Sequence, residues 1–115
     1  MSRRTITIAA ALSVLALGSQ LIAGCTNTLA TQYFDQGTEK YEAGNYQGAI
    51  TDLTKALEIL SAEPSDFTVH SDAYYIRGNA REKLNDLDGA CSDWRKAAEV
   101  DPEYKEPAEL VRLRC

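Results

Sequence analysis

The chain has 115 residues, 44% of them hydrophobic and 25% charged, which is enough for one small domain. A net charge of −5 speaks against nucleic acid or an anionic lipid surface as the main partner, and a single His excludes a His-rich metal centre. Seven Gly and three Pro exclude a low-complexity or collagen-like chain.

The chain opens on Arg3 and Arg4, followed by an apolar run from Ile6 to Leu17 with no charge between Thr5 and Asn27. A permanent span of the hydrocarbon core needs about 20 apolar residues, and this run is shorter. A basic start before a short apolar run reads as a secretory signal, the alternative being an N-terminal core helix. The run ends in Leu21-Ile22-Ala23-Gly24-Cys25, which resembles the lipobox of bacterial lipoproteins. The resemblance implies a signal peptide over 1–24 and a lipidated Cys25, with a short tether over 25–29. It also implies diacylglycerol and an N-acyl chain such as palmitate on Cys25, and no other cofactor. The expected location is the bacterial cell envelope, membrane-anchored and facing the periplasm. Thr26 after the Cys favours the outer over the inner membrane. Ordinary cleavage leaving a free Cys25 is the alternative. Loss of 1–24 removes two arginines and leaves a chain of net charge −7, held by lipid and not by charge.

Beyond the tether the chain repeats itself at an offset of 41. Tyr33 matches Tyr74, Gly37 matches Gly78, and Gly48-Ala49 matches Gly89-Ala90. Asp52, Lys55, Ala56 and Glu58 match Asp93, Lys96, Ala97 and Glu99, while Lys40 and Leu53 pair conservatively with Arg81 and Trp94. Each copy reads as two helices about a tight turn. Ala30–Ala43 and Tyr46–Leu60 flank Gly44-Asn45, and Asp72–Leu84 and Leu87–Val100 flank Asn85-Asp86. Asp101-Pro102 ends the last of these.

This pattern resembles the tetratricopeptide repeat. Residues 71–104 carry Tyr74, Gly78, Ala90, Trp94, Ala97 and Pro102 at that family's spacing, and residues 30–63 carry Tyr33, Gly37, Tyr46, Ala49, Leu53 and Ala56. The first copy departs in having Gln36 in place of an aliphatic residue and Ser61 in place of Pro. The implied fold is all-α: two helix-turn-helix hairpins, an inter-repeat loop over 64–70, and a capping helix over 105–115, a short α-solenoid. Stacks of this kind usually need three or more units to bury a continuous core, so further stabilisation is expected.

With Cys25 lipidated, Cys91 and Cys115 remain. Counted as a third partial repeat, Cys115 falls at a position that in the family packs on the preceding hairpin. A Cys91–Cys115 disulfide is therefore expected. The alternative leaves Cys91 as a buried apolar thiol and Cys115 as a free terminal one. The absence of a Cys-x-x-Cys motif speaks against thiol-redox chemistry.

No phosphate loop, metalloprotease helix or nucleophile motif occurs, and Asp86-Leu87-Asp88-Gly89 lacks the spacing of a calcium loop. His70 reads as a solvated loop residue. The chain is therefore read as no enzyme, and no metal site is assigned. The resemblance places the first helix of each repeat along a concave groove for a protein or peptide partner. The residues this selects are Phe34, Thr38, Tyr41, Tyr75, Asn79, Glu82 and Lys83, with Thr31, Glu42 and Asp72 at the same register. Phe34 and Tyr75 stand where the family's carboxylate clamp has Lys, so that clamp is absent. Aromatic anchors with Asn79 as a hydrogen-bonding group suit a peptide instead; otherwise Phe34 and Tyr41 cover the core edge. The functional expectation is a membrane-anchored, non-catalytic interaction module or assembly scaffold. The alternative is a self-associating structural homo-oligomer. No nucleic-acid partner is expected.

Overall fold

The computed structural model describes residues 28–62 and 67–115. The expected signal peptide and the lipid site at Cys25 lie outside the described residues. Among the described residues the chain forms five helices and no strand: α1 (28–42), α2 (Tyr46–Ala62), α3 (Phe67–Lys83), α4 (Leu87–Val100) and α5 (Lys105–Arg114). This is the all-α pair of hairpins with a cap that the repeat implies.

The two hairpin turns share one chemistry. Gly44 (φ 81°) and its counterpart Asn85 (φ 63°) take the left-handed conformation that ends a helix. The following amides of Asn45 and Asp86 bond back to the carbonyls of Lys40 (2.8 Å) and Arg81 (2.9 Å). The side chains of Asn45 and Asp86 then accept from the amides of Gly48 and Gly89, each at 3.0 Å, and so open the next helix.

Small residues let the helices approach closely. Ala49, Ala56, Ala73, Ala80, Ala90 and Ala97 are fully buried, as are the larger Leu53 and Trp94. A Cβ on Gly37 would lie 2.7 Å from Leu53, and one on Gly78 would lie 2.8 Å from the Trp94 indole. Each large side chain therefore fills the space its glycine leaves. One core cluster gathers Ala49, Leu53, Leu57, Ala73 and Ala80, and a second gathers Ala90, Cys91 and Trp94. Leu110 and Val111 of α5 pack on the second, and Pro107 is buried.

Helix α3 begins at Phe67, so the expected loop over 64–70 is shorter than read, and His70 is helical. The segment Phe67-Thr68-Val69-His70-Ser71 consists of weak helix formers, which obscures it in the sequence. Packing overrides that preference. Ser71 is buried and its hydroxyl donates to the Ala97 carbonyl at 2.9 Å. His70 stacks on Tyr74, with ring centroids 5.3 Å apart.

Candidate functional site

The groove candidates all lie on α1 and α3, but they serve different ends. Tyr41 is half-buried and packs edge-on against Tyr46 at 5.6 Å. Burial raises its pKa, and the charges of the neighbouring Tyr46, Tyr75 and Glu82 add to the rise. Tyr75 in turn packs edge-on against Tyr104 at 5.2 Å. The Tyr104 hydroxyl bonds to the Asp72 carboxylate, and burial with that neighbouring charge pushes its pKa well above the ordinary phenol range. Tyr75 of α3 and Tyr104 of the α4–α5 connection thus form a tyrosine face bordered by the Asp72 carboxylate. Beside it opens a groove of about 460 Å³ lined by Tyr75, Lys105, Glu106, Glu109 and Leu110.

Three candidates are already committed within the fold. Phe34 packs against the first core cluster and belongs to the core edge. Thr38 donates its hydroxyl back to the Phe34 carbonyl at 2.9 Å, within its own helix. Asn79 was expected to bond a partner's backbone. Instead its Oδ1 accepts from the Trp94 indole N–H at 2.9 Å, because the buried indole requires an acceptor. Glu82 is held by Arg114 of α5 at 2.7 Å, while Lys83, Thr31 and Glu42 are exposed.

Cys91 and Cys115 are joined by a disulfide with Cα atoms 5.9 Å apart, tying the end of α5 to the second turn of α4. Cys91 is buried within the Trp94 cluster and Cys115 lies at the surface. Among the described residues no group of three or more His, Cys, Asp and Glu side chains is disposed to hold a metal. Nor is any helix there long and apolar enough to cross a membrane.

The sequence reading overlooked a buried charge network. Asp93, 2% exposed, accepts from Arg77 Nε (2.9 Å) and Nη2 (2.7 Å) and from Arg81 Nη1 (2.9 Å). Arg77 also donates to Thr54 Oγ1 of α2 at 3.1 Å, so it links the two repeats. The first repeat has the simpler equivalent, Lys40 to Asp52 at 2.6 Å. The signal was present in the matched pairs Asp52 with Asp93 and Lys40 with Arg81. Tyr104 gave none, since it stands where the helical pattern stops.

The family model of the tetratricopeptide repeat matches residues 71–104, which take in α3 after its first turn, all of α4 and the turn that follows. Over 80 residues the chain is 34% identical to a DnaJ homolog subfamily C member 7 homolog from Dictyostelium discoideum. The alignment covers 70% of this chain but only 14% of that much longer relative. Residues 71–104 thus carry a tetratricopeptide repeat, a module that generally mediates protein–protein interaction, set within a short all-α solenoid.

Proposed function

We propose that this chain is a non-catalytic docking module, held on a bacterial envelope membrane by lipid on Cys25, that takes a protein or peptide segment along its tyrosine-lined face. The observation that carries the docking reading is the edge-on Tyr75–Tyr104 pair beside the groove lined by Tyr75, Lys105, Glu106, Glu109 and Leu110, within a tetratricopeptide fold. Tyrosines offer large contact area at low entropic cost and a hydroxyl for orientation, which suits them to anchor a partner. Anchoring is supported by the Ile22-Ala23-Gly24-Cys25 motif behind its apolar run, and Thr26 favours the outer membrane. The diacylglycerol and N-acyl chains on Cys25 supply the membrane affinity that the acidic domain lacks.

The test is crosslinking and pull-down of the full-length protein from its native membrane, followed by mass spectrometry. Tyr75→Ala with Lys83→Glu is expected to abolish capture of a specific partner while helicity and a cooperative melt are kept, the melting temperature falling because Tyr75 packs on the Trp94 cluster. Unchanged capture by that variant overturns the groove. Self-crosslinks alone would favour the homo-oligomer, for which Leu113 of α5, 63% exposed, offers an apolar contact.

A further inference from the structure

We infer that the end of the stack formed by the starts of α1 and α3 is a lipid-contacting end, with Phe67 seated among the phospholipids of the membrane that holds Cys25. This rests on the anchoring proposed above and adds an orientation to it.

Side-chain pairs fix the relative directions of the helices. Lys40 meets Asp52, Lys55 lies over the Tyr33 ring, and the space above Gly37 is closed by Leu53, so α1 and α2 run antiparallel. Arg77 meets Thr54, so α3 returns antiparallel to α2 and parallel to α1. These pairings put the first described residues of α1 level with Val69 and His70. Phe67 then projects about 3 Å farther out, at 1.5 Å of rise per residue.

Phe67 is 64% exposed, more than any other large apolar side chain among the described residues, and Leu29, at the start of α1, is 43% exposed. The chain leaves this same end toward Cys25. Three residue steps separate Cys25 from the start of α1, at most about 10 Å of extended chain. A lipid attached at Cys25 therefore brings the bilayer surface to the end where the aromatic ring protrudes. Charge does not supply the contact: Ser71 near the start of α3 meets Ala97 near the end of α4, so the α4–α5 connection also lies at this end, where Glu99, Asp101, Glu103 and Glu106 outnumber Lys105. Apolar insertion into the headgroup–acyl boundary does. The α3–α4 turn, with Leu84 and Leu87, lies at the opposite end and points away from the membrane. The tyrosine face opens sideways, above the lipid surface.

Phe67→Trp adds one exposed indole to a chain whose single Trp, Trp94, is fully buried. Leu87→Trp places an indole at the far end, at a site 42% exposed, as a control for orientation. The lipidated chain is reconstituted in phosphatidylcholine vesicles with and without bromine on the acyl chains, and flotation is read before emission. The expected result is that all forms float and that bromination removes most of the added emission of Phe67→Trp but not that of Leu87→Trp. Flotation with undiminished Phe67→Trp emission overturns the lipid seat and leaves the anchor standing. Equal loss in both variants overturns the end-on orientation. Failure of every form to float overturns the anchor, and the seat with it.

Discussion

Asp93 is one carboxylate among three guanidinium nitrogens, and its burial makes that arrangement a stability determinant. Replacing it by Ala leaves Arg77 and Arg81 facing each other with no counter-charge. Asp93→Ala is therefore expected to cost about 3 kcal/mol in urea unfolding. Asp52→Ala should cost less, since its partner Lys40 is 43% exposed and reaches water instead. Gly78→Ala is expected to lower stability although Ala is the better helix former by about 1 kcal/mol. The added methyl would sit 2.8 Å from Trp94 and 3.2 Å from the Ala90 carbonyl, and displacing them should cost about 2 kcal/mol. His70 gives the pH dependence. Burial lowers its pKa below the ordinary 6.5, so below that value the unfolded chain binds a proton that the folded chain resists. Stability is fully present above pH 6.5 and declines as the pH falls from there toward the folded value. The chain has no other His, so His70→Phe should flatten this step in urea midpoints measured between pH 7.5 and 5.5, roughly the range over which an imidazole titrates.

At the scale of elements, α5 depends on a cross-link. It is ten residues long and packs only Pro107, Leu110 and Val111 inward, too little to persist as an isolated helix. The Cys91–Cys115 bond closes a span of 24 residues and is expected to contribute about 3 kcal/mol by restricting the unfolded chain. Thermal melts should show reductant lowering the melting temperature of the parent to that of Cys115→Ser, with no effect of reductant on the variant. Thiol titration before and after reduction should differ by two sulfhydryls from this pair. The elements were largely legible from sequence because the offset of 41 aligns turn residues, glycines and core positions at once. The start of α3 was not. Its first turn, Phe67-Thr68-Val69-His70, is built of weak helix formers, and the contact of Ser71 with Ala97 of α4 that follows leaves no local periodicity. The groove was legible as a set of positions only. That Asn79 would be claimed by Trp94, and that Tyr104 would join the tyrosine face, depends on how α3, α4 and the cap meet.

For the whole molecule, two repeats suffice where stacks usually need three, and the Thr54–Arg77–Asp93 link shows one reason. It joins α2, α3 and α4 through a single guanidinium, so neither hairpin can separate without exposing a buried carboxylate. Native-state hydrogen exchange is expected to show the central amides of α2, α3 and α4 opening as one unit. Arg77→Ala should split them, with α2 exchanging faster than α4.

The disulfide has a mechanical consequence. Residues 91–115 form a closed ring, so a load applied between the N-terminal side and Cys115 leaves the strained path at Cys91. Pulling can straighten α1, α2 and α3, but α5 and most of α4 hang off the path and carry no tension. The ring withholds about 80 Å of contour that only its opening would release. A load taken up at Cys115 thus meets a fixed limit to its extension, set by a bond between side chains and not by the backbone.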